Sequence, residues 1–302
     1  MTKSRSGSPA PLRPRLLLIA TAVLFSTGGA VIKGTTLNGW QVGGLRSVIA
    51  ATAILILIPD ARRNWTLRQA PVALAYGSTV LLYVTATKLT TAANAIFLQE
   101  SAPLWVFFTA PLLLKERIRR SDIVLIGAVA AGMALFFTGS EPARATAPDP
   151  RLGNMLALAS GLTWALTITG LRWIARDATP GSFAGMSTIA LGNLAAAIVA
   201  AVFAFPIVHF TLRDAAAVTW LGLFQISLAY VLLTRGIRSV PVFEATTLLL
   251  LEPALNPLWT WLVHGERPSA HALAGGGIIV LATGLNAWWQ NRSLTSDPGA
   301  RS

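Results

Sequence analysis

The side chains able to do chemistry in this sequence stand alone in apolar surroundings. Glu252 falls within "LLLLEPALNPLW" (248–259), Glu100 within "FLQESAPLW" (97–105) and Arg46 within "GGLRSVIA" (43–50). A carboxylate or guanidinium set among leucines is costly unless it is paired, neutralised or put to use. Such groups can hold an ion or a polar solute, or take up and release a proton. Bond-making chemistry has no comparable support. The three histidines, His209, His264 and His271, form no His-Glu-x-x-His pair, there is no cysteine, and no phosphate-cradling loop with its Lys-Ser/Thr ending is present. The expectation is a protein that is not an enzyme and needs no metal and no cofactor. An intramembrane enzyme using a carboxylate beside a hydroxyl is the weaker alternative.

The elements that must position these residues follow from the solvent the chain lives in. It has 302 residues, 54% hydrophobic and 12% charged, with a mean hydropathy of +0.60, whereas a soluble domain is about 25% charged. Runs of roughly the 17–25 apolar residues that cross hydrocarbon as a helix recur ten times: 16–33, 40–58, 71–87, 92–114, 121–139, 153–174, 183–204, 215–234, 242–264 and 271–290. The basic cluster before the first run, Lys3 to Arg15, resembles a signal peptide, but nine further runs mark it as a retained span.

The net charge of +12 is spread in short clusters between runs, so it is no nucleic-acid stripe. With the N-terminus inside, 17 of the Lys and Arg residues fall on the cytoplasmic side and six outside, with Arg46 within the second span. That asymmetry predicts both termini in the cytoplasm, in a bacterial inner membrane.

Shifting the second half back by 150 positions sets Lys88 on Arg238, Ala95 on Ala245, Pro103 on Pro253, Glu116-Arg117 on Glu266-Arg267 and Gly127 on Gly277. An offset of 139 sets Phe25 on Trp164 and Lys33 on Arg172. Five spans per copy is an odd number, so the second copy must cross the membrane in the opposite sense. Inverted repeats are a common architecture of secondary transporters, with the substrate site near the midplane between them. The expected organisation is a cytoplasmic tail (1–14), a first five-helix repeat (15–139), an extracytoplasmic linker (140–151), a second five-helix repeat (152–290) and a cytoplasmic tail (291–302).

"KLTTAANAIFLQESAPLWVFFTAPLLLKERI" (88–118) and "RGIRSVPVFEATTLLLLEPALNPLWTWLVHGERPS" (235–269) resemble the paired signature stretches of the drug/metabolite transporter superfamily, EamA-type branch. The resemblance covers about residues 15–290. It implies an all-α integral membrane protein of ten transmembrane helices in two inverted five-helix repeats. It also implies a central cavity lined mainly by the first, third and fourth helix of each repeat, with the fifth peripheral. Members export amino acids, other small metabolites or drugs. "QESAP" in the first copy departs from the pattern that "LLEP" keeps in the second.

On the repeat alignment Glu100 faces Leu250 and Glu252 faces Ala102, a slip of two residues, or about 200° around a helix. The two carboxylates are therefore expected not to face the cavity equivalently. Glu252, beside Pro253, reads as structural or coupling, and Glu100 as a substrate or proton group. Asn94 and Glu244 are repeat equivalents near opposite membrane surfaces, which suits two gates as well as simple helix-end solvation. Arg46 is read as a structural pair, with Glu100 or an acidic substrate as rival partners.

Tyr83, Trp105, Trp164, Gln225 and Tyr230 mix aromatic bodies with polar tips, as a small-molecule pocket requires, though each also suits plain packing. Trp40, Trp65, Trp173, Trp220, Trp288 and Trp289 read as interface anchors. The two Glu-Arg pairs read as local ion pairs or caps, and Gly127, Gly132 and Gly275–Gly277 as close-packing devices. The prolines Pro103, Pro111, Pro253 and Pro257 make their helices pliable.

The function these readings support is export of a small organic metabolite by alternating access, driven by a gradient and coupled to protons if Glu100 carries one. A passive channel is the alternative. The partners are a small-molecule substrate and membrane lipid, with no nucleic acid, and a homodimer is compatible with all of this.

Overall fold

The computed structural model describes residues 12–63, 65–115, 120–138, 143–176, 184–237, 239–240 and 242–296. The Glu116-Arg117 pair lies outside these residues. Among them the regular elements are all helices, joined by short turns and loops, one of which holds an isolated bridge between Arg144 and Ala147. Apolar composition explains this directly, because a backbone in hydrocarbon can satisfy its N–H and C=O groups only within its own segment.

Helices α1 (Leu12–Ser26) and α2 (Gly28–Lys33) form one broken span. It is followed by α3 (Gly39–Leu57), α4 (Gln69–Leu89), the broken pair α5 (Ala92–Gln99) and α6 (Ala102–Leu114), and α7 (Arg120–Thr138). Next come α8 (Pro150–Arg176), α9 (Ala184–Ala204) and α10 (Leu212–Trp220), which continues through a π-helical stretch, Leu221–Leu228, into α11 (Ala229–Gly236). A second broken pair, α12 (Val242–Leu249) and α13 (Leu251–His264), precedes α14 (Ala270–Ser296).

Among the described residues, eight helices are long and apolar enough to cross a membrane. The two remaining runs expected to span, 121–139 and 242–264, are the apolar α7 and the interrupted α12–α13.

Both interruptions in the middle of the bundle have one cause. Pro103 and Pro253 have no N–H to give to the carbonyls of Gln99 and Leu249. The α-helical hydrogen bonding is accordingly interrupted at Glu100 (φ −66°, ψ 1°) and Ser101 (φ −67°, ψ −4°), and at Leu250 (φ −63°, ψ −10°), with Ser101 and Leu250 still in the right-handed helical region. Residues 100 and 250 are the ones the 150-position offset superposes. Helix starts are capped by side chains: Asn38 and Gln41 form a reciprocal box on α3, Thr211 and Asp214 another on α10, and Thr91 Oγ1 accepts from Asn94 N at 3.2 Å on α5.

In the packing, α4 lies on α8 and α1 on α11, α3 on α9, α7 on α14 and α5 on α13. The α7–α14 contact depends on Gly132 and Gly275: a Cβ on either would stand 2.8 or 2.5 Å from the other's carbonyl oxygen. Gly127 and Gly277, grouped with them from the sequence, have nothing within 4 Å of that position and make no such contact. Small-residue spacing marks a face able to pack, and the turn of the helix decides which members of it do.

Gly161 lets α8 press on the first break. A methyl there would meet Ser101 Oγ at 2.5 Å and the Gln99 carbonyl oxygen at 3.0 Å. Gly161→Ala is expected to cost about 1–3 kcal/mol through overpacking. A fall in thermal midpoint of the purified protein would register it, and an unchanged midpoint would mean that the break is free to give way.

Candidate functional site

A cavity of about 1250 Å³ runs from the level of the two helix breaks to the bundle end that carries Asp122, Arg172 and Asn286. Of the expected site residues, it brings together Tyr83, Glu100, Trp164, Gln225 and Tyr230, with Arg46, Pro103, Glu252 and Pro253. Arg46 is 4% exposed. Its Nη1 donates to Gln225 Oε1 at 3.2 Å, and its Nε is buried with no hydrogen-bond partner.

Gln225 sits in the π-helical stretch, where Ser227 Oγ donates to the carbonyl of Gly222 at 2.8 Å. Widened turns of this kind are frequent at functional sites because they turn side chains off the regular helical register. Tyr83 OH accepts from Asn256 Nδ2 at 3.1 Å. The ring of Tyr230 lies edge-on to Phe25 (centroids 5.3 Å apart) and to Tyr76 (6.0 Å).

Both carboxylates line the cavity, whereas the repeat alignment carries the expectation that they do not face it equivalently. That expectation treated each span as one continuous helix. Glu100 instead caps the first half-helix of its pair, whereas Glu252 lies in the first turn of the second half-helix of its own. They reach the cavity from these two unlike positions. The first turn of α13 also places the positive end of a helix dipole at Glu252.

Three expected site residues lie elsewhere. Asn94 is buried at the closed end, where its Nδ2 donates to Asn154 Oδ1 at 3.1 Å. Glu244 is paired with Arg15, whose Nη2 donates to Glu244 Oε2 at 3.2 Å. Trp105 is half-buried with its Nε1 out of solvent and lines no part of the cavity. Its ring is carried off the cavity side of α6.

Asn94–Asn154 and Glu244–Arg15 are nevertheless one contact seen twice. The 150 offset relates Asn94 to Glu244 and the 139 offset relates Arg15 to Asn154.

Residues the sequence left out include Phe25, Tyr76, Asp122, Arg172 and Asn286. Two were signalled. Phe25 is the repeat mate of Trp164, and Tyr76 stands two helical turns before Tyr83 on the same face of α4. The fifth helix of each half is not purely peripheral: Leu125 and Ile126 of α7, and Thr283 of α14, reach the cavity.

The opposite end is shut by a buried lock. Lys33 pairs with Glu266 Oε2 at 3.0 Å, both side chains 3% exposed. Lys33 Nζ also donates to the carbonyls of Thr90, at 2.8 Å, and Thr146. Glu266 Oε1 accepts the first N–H of α5, from Ala92, at 2.6 Å. Glu266 therefore serves a distant lysine and a helix N-terminus, which gives the expected local ion pair or cap a wider reach. His264 joins Ala30 O at 2.8 Å, Lys88 Nζ donates to Thr35 O at 2.7 Å, and Asp214 accepts from Thr36 N at 2.7 Å. No group of three or more metal-ligating side chains occurs among the described residues.

Membrane-long apolar helices around a largely apolar, aromatic-lined cavity that carries a few buried polar groups, with a buried ion pair at the other end of the bundle, are the build of a multi-pass membrane transporter. The model of the EamA-like transporter family matches residues 13–138 and again 151–288, and the chain belongs to that family, of the drug/metabolite transporter type. It is 26% identical over 211 residues to an uncharacterised transporter of Clostridium kluyveri, an alignment covering 67% of this chain and 65% of that protein's length. A solved crystal structure without a functional description shares the fold, with a TM-score of 0.62 and 19% identity over 92% of this chain and 98% of its own.

Proposed function

We propose that this protein is a secondary carrier that exports a small organic metabolite across a bacterial inner membrane by alternating access between two inverted five-helix repeats. The observation that carries the reading is the pairing of a cavity reaching one end of the bundle with a lock of buried charges at the other. A channel would need a polar path at both ends together.

Contacts between loops support ten crossings. Lys33, Thr90, Thr146, Asn154 and Glu266 meet at one end, while Arg15 meets Glu244 and Arg176 meets the Leu114 carbonyl at the other. These partners alternate along the chain as ten successive crossings require. The paired packing of α4 on α8 and α1 on α11 supports two halves exchanged by a pseudo-two-fold axis.

With both termini cytoplasmic, as the distribution of Lys and Arg implies, the open end faces the cytoplasm and the Lys33–Glu266 lock faces outward. Rocking of the half-helices at Pro103 and Pro253 would exchange the open and closed ends. The driving gradient is that of the solute or of protons, and Glu100 and Glu252 are the groups placed to carry a proton. The reading needs no cofactor and no nucleic acid, and it is compatible with a homodimer.

Counterflow tests the carrier against the channel. Proteoliposomes preloaded with unlabelled apolar amino acids, or with a lipophilic cation, are expected to accumulate the matching labelled solute transiently above its external level. Simple equilibration at a rate blind to preloading would mean a channel, and no protein-dependent flux of any solute would defeat the transport reading.

A further inference from the structure

We propose that Ser26, Thr27, Gly28 and Gly29 form the joint through which the cavity governs the Lys33–Glu266 lock, and that Gln225 and Asn256 are the positioning residues that act on it. The inference rests on the carrier reading above and adds to it the residues that link a filled cavity to the opening of the far end.

α1 and α2 part at this point for a local reason. Ser26 Oγ and Thr27 Oγ1 both donate back to the preceding turn, to the carbonyls of Val23 and Leu24, each at 2.7 Å. Hydroxyls that bond back in this way bend a helix. Two glycines follow, and only proline favours helix less. The 139 offset sets the four residues on Ala165, Leu166, Thr167 and Ile168 of α8, which runs unbroken from Pro150 to Arg176. The joint therefore belongs to the first half alone.

Each of the four residues meets a side chain of the second half. Trp259 Nε1 donates to Ser26 Oγ at 2.9 Å, and Trp220 Nε1 donates to Thr27 Oγ1 at 3.1 Å. A Cβ on Gly28 would lie 3.0 Å from Gln225 Nε2. One on Gly29 would clash with Asn256 Oδ1 and stand 3.0 Å from the Ala92 Cβ. α10 and its π-helical continuation thus supply Trp220 and Gln225, and α13 supplies Asn256 and Trp259.

Both amides also reach a residue that lines the cavity. Gln225 Oε1 accepts from Arg46 Nη1 at 3.2 Å, and Asn256 Nδ2 donates to Tyr83 OH at 3.1 Å. Beyond the joint, α2 has only six residues and ends in Lys33. Packed side chains and hydrogen bonds of this kind carry coupling between sites. A solute that claims the hydrogen bond of Arg46 or Tyr83 frees the amide resting on Gly28 or Gly29. α2 then turns at the joint and draws Lys33 from its seat.

The chain has no cysteine, so a single cysteine in place of Thr87, buried at the closed end, reports opening of the purified full chain by its rate of reaction with a membrane-impermeant maleimide. Asn256→Ala and Trp259→Phe each remove a contact on the joint, and neither residue is a bonded partner of Lys33 or Glu266. Each is expected to speed labelling about tenfold, the equivalent of one hydrogen bond. In a Lys33→Met background neither should add to the rate, because residues acting through one element are not additive. Gly161→Ala, which disturbs the bundle away from the joint, should add its effect in both backgrounds. Tyr83→Phe, made on the cavity side, should speed labelling too, and add nothing once Asn256 is replaced.

Additive effects of Asn256→Ala or Trp259→Phe with Lys33→Met would overturn the joint, as would labelling that neither variant changes. A Tyr83→Phe effect undiminished by Asn256→Ala would break the path at its cavity end. If Asn256→Ala fails to fold, Trp259→Phe, which keeps an aromatic ring, decides alone. Counterflow with flat or additive labelling would defeat the joint and leave the carrier. Labelling in the expected pattern without flux of any solute would defeat the carrier reading.

Discussion

Lys33→Met is expected to destabilise the closed end by about 3–5 kcal/mol, the cost of leaving one member of a buried ion pair without the other. The three donors of Lys33 are all spent, on Glu266, on the Thr90 carbonyl and on the Thr146 carbonyl. Methionine fills similar space and restores none of them. Glu266 would keep only the Ala92 N–H.

Because the lock ties the start of α5 and the loop after α13 to the end of α2, its loss should release that end as a unit. The chain has no cysteine, so a single cysteine placed at Thr87, buried beneath the lock, can report the opening through a membrane-impermeant maleimide. Faster labelling and a lower thermal midpoint are expected. The double variant Lys33→Met with Glu266→Gln should recover much of the stability, because it removes both buried charges together. If Lys33→Met labels no faster and melts unchanged, the pair is not what holds the cavity shut.

How much of this was legible in the sequence depended on whether one residue sufficed to make the point. Pro103 and Pro253 each break a helix by their own chemistry, and the breaks fall at residues 100–101 and 250 beside them. The 150 and 139 offsets carried further than the low identity between the halves would suggest, since they relate Glu244–Arg15 to Asn94–Asn154, contacts made at opposite ends. What sequence could not supply was rotation about a helix axis. Trp105 has the composition of a pocket residue and lies off the cavity, and Tyr76 was passed over although it shares a face with Tyr83.

The lock was hidden for a different reason. Lys33 and Glu266 are separated by most of the chain, and the adjacent Arg267 offered Glu266 a nearer partner on paper. No local spacing distinguishes a carboxylate that pairs with its neighbour from one that caps another helix. Only the packing of α2, α5 and α13 against one another does so.

Glu252→Gln is expected to reduce exchange itself, whereas Glu100→Gln is expected to spare exchange and remove its dependence on the proton gradient. The difference follows from position. Glu252 sits in the first turn of α13 and lines the cavity with Tyr83 and Tyr230, where an amide would offer a donor group of the solute a neutral oxygen in place of a charged one. A hydrogen bond to a charged group contributes about 1.5–3 kcal/mol, so the apparent affinity should fall about 10- to 100-fold.

Glu100 caps α5 at the break and lines the same cavity as Glu252. An ionisable group inside a membrane is placed to carry a coupling proton. Glutamine at Glu100 removes that group, leaving Glu252 to meet the solute with nothing to exchange against. Counterflow at equal pH on both sides should then persist, while an imposed pH difference should no longer concentrate the solute. Uptake by the unaltered protein that ignores the pH difference would end the coupling role of Glu100. Counterflow undiminished in Glu252→Gln would show that the solute does not depend on this carboxylate.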